Sequence, residues 1–180
     1  MRRMRDRRAM GLAAALVAAV AVGAVGAAAA HASAGAAASA PRCRLHQLSL
    51  AQPKSNGAAG TIRLRFVFTN TGGTTCSLFG FPGMQMLNAS HNPIPTHVHR
   101  GTGHNVPPEP ETTVVMTPGQ HGSFYAGYSD VPRGTQKCRL SSFVEVTPPN
   151  DFNHFTLSLK IQPCGGNITV SPVVHGRLPV

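Results

Sequence analysis

Histidines in the middle of the chain are the residues whose type and spacing could bind a metal ion. His97 and His99 are separated by one residue, so on an extended segment both imidazoles would point to the same side and could share a cation. In an oxidising compartment imidazoles suit zinc or copper(II). The alternative is that they are solvated loop histidines. The predicted metal ligands, in a region that ends at His121, are His91, His97, His99 and His104.

Three methionines could add thioether ligands to such a site if the metal were copper(I). They are Met84, Met86 and Met116, and their other interpretation is that they belong to the hydrophobic core. The sequence places no carboxylate as an outer partner for the imidazoles, which weakens the case for a metal. We therefore expect no cofactor, with bound zinc or copper as the alternative.

Catalytic motifs are missing from this sequence. It has no G-x-S-x-G elbow, no S-x-x-K, no H-E-x-x-H and no phosphate-binding P-loop. Asp130, His121 and Ser123 could be drawn as a triad, but closeness in sequence is poor evidence for one. We therefore expect no catalytic residues and a protein that is not an enzyme.

Residues 1–32 have the features of an export signal. Five arginines lie within the first eight residues, an uncharged run rich in Ala, Val and Gly follows, and Ala30-His31-Ala32 offers a small-x-small cleavage site. The alternatives are an uncleaved membrane anchor, disfavoured by the abundance of alanine and glycine, and a lipid on Cys43, disfavoured by the residues before it. Sec and twin-arginine export both fit. We predict a secreted protein of the cell envelope, with a spacer over 33–42 and one domain over 43–180.

All four cysteines follow the predicted cleavage site. An even number of cysteines in an exported chain predicts two disulfides, and three pairings are possible. We predict the sequential pairing, Cys43 with Cys76 and Cys138 with Cys164. Each bridge would then close a loop of about 30 residues and contribute on the order of 3.5 kcal/mol in the chain-entropy model. The close cysteine pairs of a zinc site are absent from the sequence.

The chain is basic, with 16 Lys and Arg against 6 Asp and Glu and a net charge of +10. Without residues 1–32 there remain 11 basic and 5 acidic residues, a net charge of +6. Such a charge attracts anionic polymers, but the basic residues are scattered, so we expect no specific nucleic-acid site. We expect a partner in the envelope or outside the cell, and no membrane span after signal cleavage.

Alternating side chains predict the main structural element. Ile62, Leu64, Phe66 and Phe68 occupy every second position, which predicts a half-buried strand followed by a turn. Strands recur about every ten residues with Gly and Pro between them, and no segment after residue 32 shows helical spacing over three turns. This pattern is typical of an all-β, Ig-like antiparallel β-sandwich. The further predicted strands are 45–50, 84–88, 112–116, 123–128, 143–147, 155–161 and 168–174, with a turn at 52–57 and a long loop over 93–110.

Several motifs occur in a specific order along the chain. They include FTNTG at 68–72, CSLFGFPG at 76–83, GYSDVP at 127–132 and PCGG at 163–166. Together they resemble the actinobacterial secreted family called domain of unknown function 4232, over residues 43–174. Phe81 stands where the family usually has tyrosine. The resemblance implies an exported β-sandwich with disulfides, and it supplies no catalytic residues.

Overall fold

The computed structural model describes residues 39–180. The predicted signal peptide and the spacer up to residue 38 lie outside the described residues. Within 39–180 there is no helix with the length and apolarity that a membrane crossing requires. A 3₁₀ turn at Leu45–Gln47 precedes the first strand. The strands are β1 Leu48–Leu50, β2 Lys54–Ala58, β3 Thr61–Asn70, β4 Cys76–Leu78, β5 Gly83–Leu87, β6 His97–Arg100, β7 Val114–Met116, β8 His121–Ser129, β9 Phe143–Thr147, β10 Phe155–Ser158, β11 Asn167–Val170 and β12 Val174–His175.

The larger sheet is organised around the antiparallel pair of β3 and β8. Their register runs from Thr61 opposite Ser129 to Thr69 opposite His121. β1 and β2 both pair with the other edge of β3, and β11 and β12 both pair with the other edge of β8. β6 pairs with the free edge of β11, runs parallel to it, and forms the edge of the sheet. The two long strands therefore form the centre of the sheet.

A second layer packs on one face of this sheet. It consists of the antiparallel strands β10, β9 and β5 together with the pair β4 and β7. Phe66, Phe68 and Phe124 are fully buried between the layers, and Phe124 stacks on Phe66 with 4.9 Å between ring centroids. The architecture is the predicted all-β sandwich, because alternating strands bury an apolar face only by packing against another layer.

The opposite face of β3 and β8 is also covered, although by irregular segments. We call it the outer face, and it carries Arg63, Arg65, Tyr125 and Gly127. Tyr125 is only 2% exposed. Its hydroxyl donates a hydrogen bond of 2.7 Å to the carbonyl of Pro179, so the C-terminal segment lies across this face.

Three predictions about local structure were wrong. The predicted strand over 45–50 begins only at Leu48, because Leu45–Gln47 form a 3₁₀ turn. The predicted loop over 93–110 contains β6, which pairs with β11 through its backbone and exposes most of its side chains. The predicted turn over 52–57 lies mostly within β2, whose residues are all exposed. Alternation of apolar residues finds strands that bury one face, whereas β2 buries neither face and β6 packs only Val98 against the core.

Two disulfides hold the described residues together, as predicted. Cys43–Cys76 ties the segment before the 3₁₀ turn to β4. Cys138–Cys164 ties the loop between β8 and β9 to the segment before β11. Cys138 and Cys164 also form an isolated antiparallel bridge through their backbones. The second disulfide therefore fixes the loop that follows β8 against the start of β11.

Candidate functional site

The structure separates the four histidines that the sequence predicts as metal ligands. His97 and His99 lie on β6, and His104 lies in the turn that follows it. His91 stacks on Phe143 of the other layer, with ring centroids 4.0 Å apart. Within residues 39–180 no group of three or more His, Cys, Asp or Glu residues is placed to hold a metal ion.

Two of these histidines face one cavity. It has a volume of about 240 Å³ and lies where β6 and β11 meet the end of β8 and the loop after it. His91 and His97 are not among its lining residues. The cavity is lined by His99, His104, Ser129, Val131, Arg133, Gln136, Cys164 and Asn167.

Side chains of β11 orient both imidazoles. His99 Nε2 lies 3.0 Å from Asn167 Oδ1 and, because an amide oxygen only accepts, this ring nitrogen carries a proton. His104 Nδ1 lies 2.9 Å from Thr169 Oγ1. Asn167 and Thr169 are two residues apart and lie on one face of the strand. The second nitrogen of each ring makes no hydrogen bond to another described residue and is available to a ligand.

The turn that carries His104 has an uncommon backbone. His104 has φ 47° and Asn105 has φ 62°, and Gly103 is bridged to Val106 on either side of them. This is the pattern of a type I′ turn, in which both central residues are left-handed. Histidine and asparagine tolerate this region better than most residues, but it still costs roughly 1–3 kcal/mol per residue.

This turn packs against Gly127 on the outer face of β8. A Cβ atom built at Gly127 would overlap the carbonyl oxygen of His104 and would lie 2.7 Å from Cγ2 of Val106. Val106 is 4% exposed, so the turn is packed closely on the sheet. A residue without a side chain is required here because the turn approaches the backbone of β8 directly.

The electrostatics of the cavity favour a negatively charged ligand. Burial lowers the pKa of His104, and the neighbouring His99 and Arg133 lower it further. Arg133 is exposed and is the fixed positive charge of the site. Among the described residues that line the cavity there is no carboxylate. The fixed charge of the lining is therefore positive, which suits an anion.

The residues of the possible triad are not assembled. His121 Nδ1 lies 2.9 Å from Thr69 Oγ1, and its Nε2 accepts a hydrogen bond of 3.0 Å from Arg177. Ser123 is fully buried, and its hydroxyl oxygen accepts from the backbone of Leu178. Asp130 follows the opposite end of β8, whose nine residues span about 30 Å.

Sequence reasoning missed five of the eight residues that line the cavity. Arg133 and Gln136 lie in the loop after β8, and Asn167 begins β11. The available signal was the predicted Cys138–Cys164 bridge, which brings the stretches around 133–138 and 164–167 together. Without the partner of β6, however, nothing in the sequence places His99 beside them.

These features define a class of protein, a disulfide-bonded all-β sandwich with a polar cavity beside one edge of its larger sheet. The family model described as domain of unknown function (DUF4232) matches residues 43–174, and the chain belongs to this family. The resemblance seen in the sequence is thereby confirmed. Neither a curated protein nor a solved structure matches the chain.

Proposed function

We propose that the protein is an exported, non-enzymatic binding module that recognises an anionic group on a partner in the cell envelope or outside the cell. The observation that carries this proposal is the cavity in which Arg133 and the imidazoles of His99 and His104 converge. Concave sites with a few convergent polar groups are typical of ligand binding.

The cavity is built on elements that are held in place. β6 and β11 pair along four residues each, and the loop that carries Arg133 is tied to Cys164 by a disulfide. The amide oxygen of Gln136 accepts a hydrogen bond of 3.3 Å from the backbone of Arg133, which constrains the loop further. A site that is ordered before binding loses less conformational entropy when the ligand arrives.

The charge of the chain supports the same proposal. The sequence carries a net charge of +10, and residues 33–180 alone carry +6. A positive protein is attracted over long range to anionic polymers, and this attraction weakens as salt screens it. The cavity would then supply the short-range selectivity that net charge lacks.

A second candidate function is the binding of zinc or copper. The observation in its favour is that His99 and His104 face one cavity and are each oriented through the other ring nitrogen, as metal-binding histidines commonly are. The guanidinium of Arg133 in the same cavity opposes a cation. The charge of the lining residues therefore favours an anionic ligand over a metal cation.

Co-sedimentation with isolated cell-wall material tests the proposal. Disulfide-bonded protein is mixed with walls that retain their anionic polymers and with walls from which these have been extracted. We expect binding to the first, several-fold weaker binding to the second, and loss of binding as salt is raised. Arg133→Gln should weaken binding, whereas Arg139→Gln, an exposed arginine that is not a lining residue, should not.

The outcomes separate the candidates. Equal binding by wild type and Arg133→Gln would contradict the anion proposal. Tight zinc or copper binding in a calorimetric titration, lost in both His99→Ala and His104→Ala, would establish the metal function instead. If the extracted walls bind as well as the intact ones, the partner is not an anionic polymer and the proposal fails.

A further inference from the structure

We infer that the cavity binds a tetrahedral oxyanion of the sulfate or phosphoryl class, and that His104 takes up a proton when the anion binds. This inference rests on the proposed function and names the ligand chemistry of the same site. Nothing in the fold class or the family description assigns such a ligand.

The first argument is the direction from which the donors come. His99 approaches from β6, His104 from the turn after it, and Arg133 from the loop that follows β8. A planar carboxylate is satisfied by the two parallel N–H groups of one arginine. Arg133 donates at every pH, and the free nitrogen of an imidazole donates once it carries a proton. Nitrogens on three separate elements are better matched to an anion whose oxygens point in several directions.

The second argument is that each imidazole has one nitrogen in a hydrogen bond within the protein and one nitrogen free to contact a ligand. Asn167 and Thr169 occupy His99 Nε2 and His104 Nδ1, at 3.0 and 2.9 Å. Thr169 is only 2% exposed, so the partner of His104 is itself fixed by burial. The orientation of both rings is therefore set before a ligand arrives, which is the condition for a preorganised site.

The third argument is the backbone of His104. The left-handed conformation of His104 belongs to the type I′ turn, which packs directly on β8. Gly127 admits the turn, and Gly103 lies with its backbone close to the side chain of Thr169. This conformation places the imidazole over β11 instead of in solvent.

The charges around His104 are the reason to expect that this residue takes up a proton when the anion binds. The titratable and charged groups that face its turn are His99 from β6, Arg133 from the loop after β8, and Arg63 from β3, which donates a hydrogen bond of 3.4 Å to the carbonyl of Asn105. None of these groups is anionic. Burial, His99 and Arg133 lower the pKa of the His104 ring, so the ring takes up a proton less readily when no anion is bound. An anion reverses this balance because it stabilises the imidazolium form.

Linkage then fixes the direction of the pH dependence. If binding adds one proton, affinity rises as pH falls, by about tenfold per pH unit while the pH lies above the pKa of the free histidine and below that of the anion-bound histidine. The proton comes from solvent, and no covalent bond is made or broken apart from the N–H bond on the imidazole.

Sulfate is the probe, because its charge does not change between pH 5 and 8 and any pH dependence must come from the protein. We would titrate the disulfide-bonded protein with sulfate by calorimetry over this range, in two buffers that differ in ionisation enthalpy. The expected result is tighter binding at lower pH, with an uptake of up to one proton at His104. Inorganic phosphate and a phosphate-bearing polymer, compared at one pH, distinguish a free ion from a polymer group as the source.

Two variants identify the residues. His104→Gln should lose the proton uptake and bind sulfate at least about tenfold more weakly at pH 5.5, since the cation is gone. His175→Gln, an exposed histidine on β12, should behave like the wild type. Arg133→Gln lies in an exposed loop and serves as the second test if the His104 variant does not fold; it should weaken binding at every pH.

Sulfate binding that does not change with pH, or that survives His104→Gln unchanged, overturns the inference. If sulfate and phosphate fail to bind while cell-wall binding still depends on Arg133, the inference fails and the proposed function stands. If wall binding also fails to depend on Arg133, both are wrong.

Discussion

The two faces of the β3–β8 pair are buried by different means. On the inner face Phe66, Phe68 and Phe124 are each 0% exposed and form a continuous aromatic stack. On the outer face Tyr125 is buried almost as deeply, but the covering segments are a turn and the C-terminal residues. One face packs against a second layer of strands, and the other is covered by loops.

The two faces differ in whether the interactions that bury them are directional. Aromatic burial on the inner face is non-directional and scales with apolar area. The outer face is held by directed bonds: Arg65 donates to the carbonyl of Leu178 at 2.6 Å, and the guanidinium of Arg63 lies 4.6 Å from the centre of the Tyr125 ring. Directed bonds place polar groups at defined positions. The candidate site therefore lies beside the face that uses them.

The largest effect should come from the inner face. Phe124→Ala removes the ring that stacks on both other phenylalanines, and we expect a loss of about 3–5 kcal/mol in the free energy of unfolding. Urea denaturation with the disulfides intact measures it. Val115→Ala on β7, where the side chain is 44% exposed, is the control and should change stability by less than about 0.5 kcal/mol. A loss below about 1.5 kcal/mol for Phe124→Ala would show that the stack is not the main source of stability.

Gly127→Ala tests how closely the outer face is packed. The new methyl group would overlap the His104 carbonyl, so the turn must move, at a cost of about 1–3 kcal/mol. Sulfate affinity should fall with it, because His104 is displaced. Gly73→Ala is the matched control, since a Cβ atom there has no heavy atom within 4 Å. Unchanged stability and affinity in Gly127→Ala would mean that the turn does not pack directly on Gly127.

Tyr125→Phe removes one directed bond and leaves the ring in place. The lost hydrogen bond to the Pro179 carbonyl should cost about 1 kcal/mol of unfolding free energy. Amide hydrogen exchange at Leu178, whose N–H donates to Ser123, should become faster as the C-terminal segment loosens. Identical exchange in wild type and variant would show that this bond does not hold the segment.

The smallest effect should be the pH dependence of stability without a ligand. Burial lowers the pKa of His121, and the positive charge of Arg177, which donates a hydrogen bond to Nε2, lowers it further. The pKa of His104 is lowered as well, so below about 6.5 the unfolded chain binds more protons than the folded one. Stability should therefore fall as pH decreases from 6.5 towards the folded pKa values.

Thermal unfolding at pH 7.5 and pH 5.0 measures this loss. His121→Gln should reduce the difference in Tm between the two pH values, and His175→Gln should leave it unchanged. Sulfate at pH 5.0 should restore part of the lost stability if His104 is protonated with the anion bound. A Tm difference that is the same in wild type and His121→Gln would exclude His121 as its source.

The inner face was predictable from the sequence, and the outer face was not. Alternation of Ile62, Leu64, Phe66 and Phe68 predicts both the strand and its buried side. β8 is harder, since seven consecutive residues from Gly122 to Tyr128 are buried and a strand buried on both sides shows no alternation. The strand predicted over 123–128 nonetheless covers the central part of β8. Which segments cover the outer side could not be inferred from it.

The candidate site shows the same division. His99 and His104 were selected for their chemistry, but the partners that orient them are 68 and 65 residues away in sequence. The sequence also grouped His91 and His97 with them, and the structure places neither at the cavity. Spacing along an extended segment predicts a shared side, but it does not predict what lies opposite that side.

The amino-acid sequence by itself determined the all-β class, the two sulfur bridges, the central strand and the family, because these depend on local alternation, cysteine number and motif order. The tertiary structure alone decided that β6 lies parallel to β11, that a turn rests on Gly127, and that Arg133 joins two imidazoles at one cavity. The physical reason is that backbone pairing at an edge strand, and polar contacts between distant segments, depend on how the whole chain packs and produce no periodic pattern in the residues that make them.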